Sequence, residues 1–355
     1  MGSISRIKKR KEWLMHRIEK QIRRLSRKKK NHYSIGKTGM KRGIKNIPNI
    51  LKLPSRFSLI ENTVETVNFF SNVFDEINKS YLKSWIAFDM GDTEYVTPDA
   101  IMYLIAILRN SRKIKTLKIK CSGNIPNNKE AADLINRIGF YDYVKAISIP
   151  LKSRDVDRIQ ILEGYESNGQ VTSTICDFVC EKLNSNSILS TKRLYPMLVE
   201  LMTNVKQHAY GDKLGSMNPK WYIYVENHEE VIKFIFLDTG LGIPNTIRKN
   251  WIERIKDIFG KIIGEVDDAS YMEAALKGEF RTETKQGYRG KGLPEIYNAI
   301  LNEQSRLCEL TLLSGHGMCM VENDQVIHKK YVDGSFDGTM FVWSYKKGEI
   351  TDGRN

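Results

Sequence analysis

Four short stretches in the second half of the sequence carry residue types that do chemistry. In Glu200-Leu-Met-Thr-Asn204-Val-Lys-Gln-His208, the three polar residues recur every fourth position. On a helix they share one face and form a polar stripe. Alone, such a stripe reads as the wet side of a surface helix. Residues 231–237 (VIKFIFL) read as a strand that runs directly into Asp238-Thr239-Gly240-Leu241-Gly242. The glycines let the backbone turn sharply beside a ligand. A carboxylate at the strand end can accept a hydrogen bond from an exocyclic amine such as that of adenine. A third stretch, Gly287-Tyr-Arg289-Gly290-Lys291-Gly292-Leu293, opens a helix running through Ile300. Unpaired N–H groups at such a helix start, with two cationic side chains, suit phosphate. Its spacing is not that of a Walker A loop. The fourth stretch, Gly338-Thr339 ahead of residues 340–345 (MFVWSY), is an ordinary lead into a strand when taken alone.

These stretches need elements to hold them. The helix bearing the polar stripe has an apolar side of Leu194, Leu198, Leu201 and Val205. Upstream, residues 57–150 read as a compact α/β unit. Residues 85–90 (WIAFDM) and 116–121 (TLKIKC) read as strands, and residues 130–143 as a helix. Another helix is expected to run to Asn110, with Thr97 as N-cap, Pro98 first and Asp99 in its first turn. The sequence thus divides into an arm and linker (1–56), the α/β unit (57–150), a larger α/β domain (155–348) and a short tail (349–355).

Composition narrows the classes. A 355-residue chain that is 41% hydrophobic can build real cores. The longest apolar run, residues 100–108, is too short to span a membrane, and no signal-peptide core follows the N-terminus. A cytoplasmic protein is therefore expected. Five cysteines lack paired zinc-ligand spacing and read as buried free thiols. The net charge of +14 is uneven: residues 1–56 hold 19 basic and two acidic side chains, a net of +17, and the remainder is −3.

In order and type, the four stretches resemble the N, G1, G2 and final Gly-Thr boxes of the GHKL superfamily, which includes DNA gyrase, heat-shock chaperones, sensor histidine kinases and mismatch-repair ATPases. The resemblance implies a Bergerat α/β sandwich, a mixed sheet covered by helices, binding ATP and Mg2+. Asn204 would ligate the metal. Asp238 would bind the adenine amine with support from Thr339, over a floor of Gly240 and Gly242. Gly290, Gly292 and Leu293 would belong to the phosphate loop, with Arg289 and Lys291 as its charged members. A lid over residues 244–287 would bring Arg281, Thr282, Thr284 and Lys285. Glu200 would orient and deprotonate a water in line with the γ-phosphate. Glu at this place is shared by gyrase-like ATPases and anti-sigma serine kinases, so protein serine/threonine kinase activity on a STAS-like partner is the first alternative. A non-hydrolysing ATP sensor is the second. His208 reads as a residue finishing its helix. His16, His32, His228, His316 and His328 show no phosphoacceptor motif, against a sensor histidine kinase.

Residues 57–150 also resemble a STAS-like domain, through Phe88-Asp89, the turn Tyr95-Val-Thr-Pro-Asp-Ala100, and Arg137-Ile-Gly-Phe140. Asp99 stands where phosphorylatable members have Ser or Thr, which speaks against an acceptor role. The basic arm, helix-prone through residues 8–30 with a thin stripe of Leu14, Ile18, Ile22 and Leu25, suits phosphate neutralisation. Nucleic acid is thus expected to bind residues 1–45, with Trp13, His32 and Tyr33 available to stack on bases; a partner protein or an anionic surface is the alternative. A homodimer is compatible with GHKL relatives.

Overall fold

The computed structural model describes residues 48–143, 157–183, 194–207, 217–250, 266–280, 307–321 and 327–347, with positions 255, 258, 260, 293–294 and 297–298. The basic arm, the tail, His208 and residues 281–292 lie outside the described residues.

The chain begins with β1 (Asn49–Lys52) and β2 (Arg56–Phe57), followed by α1 (Thr63–Lys79), β3 (Trp85–Asp89) and β4 (Tyr95–Val96). Next come α2 (Pro98–Asn110), α3 (Arg112–Leu117), β5 (Lys120–Gly123), α4 (Lys129–Arg137) and α5 (Phe140–Tyr143). Strands β1, β3 and β5 form a parallel sheet in that order, and β2 pairs with β4 in a separate parallel ribbon. Because β1 pairs along its whole length with β3, the parallel sheet includes Asn49–Lys52, upstream of residue 57.

Two expected elements differ. Residues 116–121 are divided between the end of α3 and the start of β5. Ser111 caps α3 by accepting from the Ile114 amide at 3.4 Å, and Lys118, in the left-handed region at φ 53°, ends it. The helix expected over residues 130–143 is broken between Arg137 and Phe140 into α4 and α5.

Helix α2 starts as its sequence dictates, with Thr97 extended and Pro98 in first place. Its N-terminal amides are not capped by Thr97. Instead Asp99, fully buried, accepts from the Leu59 amide at 2.7 Å and ties α2 to the chain after β2. Burial raises the Asp99 pKa against the opposing hydrogen bonds from Thr97 and Leu59. From Ala100 to Ile107 every residue is inaccessible to solvent, so α2 is covered all round.

The cover comes from a second sheet. After β6 (Arg158–Gly164), α6 (Gly169–Lys182) and α7 (Leu194–Gln207) come β7 (Trp221–Asn227), β8 (Val231–Asp238), α8 (Ile243–Asn250), α9 (Asp268–Leu276), β9 (Leu307–Val321) and β10 (Ile327–Lys346). The five strands lie in the order β6-β7-β8-β10-β9. The sheet was expected to be mixed; every pairing in it is antiparallel. Antiparallel sheets commonly leave one face to water. Here both faces are buried. Phe234 and Phe236 of β8 and Phe341 and Trp343 of β10 join α6, α7 and α9 in one core. Ile235 and Leu237, alternating with them, join Met340, Val342, α1 and α2 in another, which continues into Ile86 and Phe88 of the parallel sheet. The layers are therefore parallel sheet, α1 and α2, antiparallel sheet, and α6, α7 and α9. The two ranges expected as separate domains share one continuous core.

The lid expected over residues 244–287 is in good part a packed element. Ala269, Tyr271, Met272, Ala274, Ala275 and Leu276 of α9 are all buried, against β9 and against Ile247 of α8. Asp268, also buried, pairs with Arg248 and accepts from the His316 amide at 2.8 Å. An element this deep in apolar contact does not open at low cost.

Candidate functional site

Asp238 is the last residue of β8, the central strand of the antiparallel sheet. It stands level with Trp221 on β7 and with Thr339 on β10. Side chains alternate along a strand, so Asp238 shares the face of Phe234 and Phe236, and Thr339 that of Phe341 and Trp343. Both therefore point to the face that α7 covers, at the end of β8 and where its pairing with β10 begins.

The carboxylate of Asp238 is held from two sides. Its Oδ1 accepts from the Gly240 amide at 2.7 Å, and the Thr339 hydroxyl bonds to the same carboxylate. Burial raises its pKa to about 6, and those two hydrogen bonds oppose the rise. The group is thus largely ionised at neutral pH yet poorly solvated, the condition in which an acceptor gains most from a donor supplied by a ligand.

The turn after Asp238 is locked to β9 and β10 by Ser314. Its hydroxyl donates to the Gly338 carbonyl at 2.6 Å and accepts from the Ile243 amide at 3.2 Å. Gly338 and Gly242 both have left-handed backbones, with φ 104° and 79°. A Cβ at Gly338 would lie 2.1 Å from the Asp238 carbonyl oxygen, and one at Gly242 would lie 2.7 Å from the Ser314 hydroxyl. The close approach of the end of β8 and the turn after it to β9 and β10 thus requires glycine at both places. Asp238, Gly240, Gly242 and Thr339 thus lie together around the end of β8.

Glu200 and Asn204 lie on α7, four residues apart and both half-buried. At 100° per residue the packed residues Leu194, Met197, Leu198, Leu201, Met202 and Val205 form one face; Asn204 borders it beside Met197, and Glu200 lies further round. Leu293 is half-buried and packs between the α7–sheet core and the α8–α9 core. Arg281, Thr282, Arg289, Gly290, Lys291 and Gly292, with Thr284 and Lys285, lie outside the described residues. Among the described residues, no group of three or more His, Cys, Asp or Glu side chains is placed to hold a metal ion. A magnesium ion that takes one protein oxygen and completes its shell with phosphate and water needs no such group. Cys176 and Cys319 are buried free thiols, while Cys121 and Cys180 are partly exposed. Burial pushes Cys121 up to about 11 and Cys176 and Cys319 to about 12, so these three stay protonated and unreactive at neutral pH.

Three residues around the site escape the motif reading. Ser314 was detectable as a small polar residue within a long apolar strand. Thr239, in the middle of the Asp-Thr-Gly motif, faces away from Asp238 toward α2. Asn110 closes a helix that is apolar from Ala100 to Leu108. Asn110 and Thr239 meet across the layers, and only their contact shows why either is polar.

No protein-family model matches the chain, and no curated protein matches it in sequence. No described helix is long and apolar enough to cross a membrane.

Proposed function

We propose that the chain binds Mg-ATP at a GHKL-type site on the α7 face of the antiparallel sheet and hydrolyses it, with residues 57–150 as a STAS-like layer behind. The observation carrying this reading is the pairing of Asp238 with Thr339. A poorly solvated carboxylate at the end of β8 and a hydroxyl on β10 stand level on adjacent strands, beside a glycine turn that brings backbone close to whatever lies over it. Such a pair matches the edge of adenine, the carboxylate accepting from the exocyclic amine and the hydroxyl supporting the carboxylate.

In this reading Asn204 supplies an oxygen to magnesium, and Glu200, one turn earlier, orients a water and accepts its proton. Gly240 and Gly242 form the floor. The glycine loop with Arg289 and Lys291, and the donors Arg281 and Thr282, bind phosphate. The magnesium supplies charge neutralisation at the phosphates when bound. The basic residues 1–45 engage nucleic acid through phosphate contacts, with a steep loss of affinity as salt rises.

Calorimetry with Mg-ATP and a phosphate-release assay test the reading together. The unaltered chain binds and releases phosphate. Glu200→Gln keeps the affinity and loses turnover by about 100- to 10,000-fold. The absence of any binding heat for the unaltered chain overturns the site. Transfer of labelled γ-phosphate to protein, with none to water, replaces the ATPase with the serine/threonine kinase.

A further inference from the structure

Asp238 and Thr239 are consecutive, so their side chains leave opposite faces of the sheet. Asp238 faces α7; Thr239 faces the N-terminal layer, where it is buried. There it meets Asn110, the last residue of α2, which is itself fully buried. The Asn110 Nδ2 donates to the Thr239 hydroxyl at 2.9 Å and to the carbonyl of Asn218. The same hydroxyl accepts from the Lys220 amide at 3.0 Å and donates to the Asn218 carbonyl at 2.7 Å. One donation and two acceptances use the full capacity of a hydroxyl. The Thr239 amide in turn donates to the Lys220 carbonyl at 2.9 Å, and the Asn218 amide to the Asn110 carbonyl at 3.2 Å. The amide and the hydroxyl of Thr239 are therefore both held, the hydroxyl by Asn110 of the N-terminal layer.

A second group holds the same corner. Lys220, buried, pairs with Glu163 of β6 at 2.8 Å, and Arg109 of α2 reaches the same carboxylate oxygen at 3.3 Å. The end of α2 is thereby fixed to β6 and to the residues leading into β7, while Asn110 fixes it to the turn after β8. The Oδ1 of Asn110 has no hydrogen-bond partner among the described residues, so the Asn110 side chain acts on this corner through its Nδ2 alone.

We infer that Asn110 is a positioning residue that sets Asp238 from behind the sheet, and so determines how well the site distinguishes an amino purine from an oxo purine. This rests on the adenine-binding reading of Asp238. The physical reason is directional. A hydrogen bond weakens steeply once the donor, its hydrogen and the acceptor fall out of line, and the peptide that aims Asp238 ends at Thr239. Releasing Thr239 from Asn110 lets that peptide rotate. The α7 face is untouched, because Asn110 lies on the other side of the sheet.

The experiment uses the full chain and three probes: Mg-ATP, Mg-ITP, which has an oxo group in place of the amine, and Mg-tripolyphosphate, which has no base. Asn110→Ala is expected to weaken Mg-ATP by about tenfold, the value of roughly one hydrogen bond, and to shrink the ATP-to-ITP ratio equally. Tripolyphosphate affinity stays at the unaltered value. Thr239→Val gives the same pattern, and Thr239→Ser, which keeps the hydroxyl, restores it; this pair carries the test if Asn110→Ala fails to fold. An unchanged ATP-to-ITP ratio in a folded variant overturns the inference while the nucleotide site stands. Equal loss of all three probes also overturns it, since that is plain structural damage. If the unaltered chain prefers neither purine, the adenine reading itself falls and the inference with it.

Discussion

The ring of Tyr103 on α2 stacks on that of Phe336 on β10, with 4.2 Å between centroids and 26° between planes. The Tyr103 hydroxyl donates to the Asp337 carbonyl at 3.1 Å and accepts from the Asp337 amide at 3.0 Å. Two residues more than 200 positions apart thus close the core between the N-terminal layer and the antiparallel sheet.

Since that core is continuous, the two layers are expected to unfold together. Phe336→Ala removes a fully packed ring and costs about 3–5 kcal/mol. Guanidinium denaturation followed by tryptophan fluorescence, with Trp85 in one layer and Trp221 and Trp343 in the other, should give a single transition that moves as one in the variant. Two separable transitions would show that the layers are independent.

The raised pKa of Asp238 has consequences of opposite sign for stability and for binding. Folding raises the pKa from 3.8 to about 6, so the folded chain holds this proton more firmly than the unfolded one. Stability therefore falls as pH rises from about 4 to 6, and at neutral pH the ionised carboxylate is a net cost. Asp238→Asn should raise the melting temperature at pH 7.5, by the equivalent of about 1–3 kcal/mol, with no gain near pH 4. The same variant should lose Mg-ATP affinity, and the unaltered chain should lose affinity as pH drops below about 6. A variant that is less stable at pH 7.5 contradicts the assignment.

Gly338→Ala places a methyl group against the Asp238 carbonyl in a backbone region that L-residues avoid. The strand ends must separate, so both stability and nucleotide affinity should fall, stability by about 2 kcal/mol or more. A melting curve and a titration check both. Unchanged affinity would show that the alignment of Asp238 with Thr339 is irrelevant to binding.

Asp268→Ala leaves Arg248 without its carboxylate and the His316 amide without an acceptor. A loss of about 3 kcal/mol is expected, with α9 loosened from β9. Hydrogen exchange across residues 268–276 measures it. Exchange already fast in the unaltered chain would restore this segment as a mobile lid.

The helix carrying Glu200 and Asn204, the strand ending at Asp238 and the last part of β10 were legible in the sequence through local periodicity, while the extension of β10 back through Gly338 and Thr339 to Ile327 was not. The convergence of Asp238 and Thr339 was legible too, though only through the order of motifs. Other features were not. Residues 116–121 look like a strand by composition, and a Ser cap with one buried isoleucine decides the end of a helix instead. The apolar run of α9 was hidden within a segment expected to be a lid, because burial against β9 is set by partners far along the chain.

What the sequence determined by itself was therefore a few elements, α2, α7 and β8 among them, and the chemical character of one strand end. What only the tertiary structure decided was the second cover of the sheet. The residues 231–237 are apolar on both faces, and no local pattern states what lies against either. Packing against α1 and α2 answers that, and it brings Asn110 to the back of Thr239. A hydrogen bond between residues 129 positions apart leaves no periodic trace in the chain, since its partners are chosen by the fold and not by their neighbours.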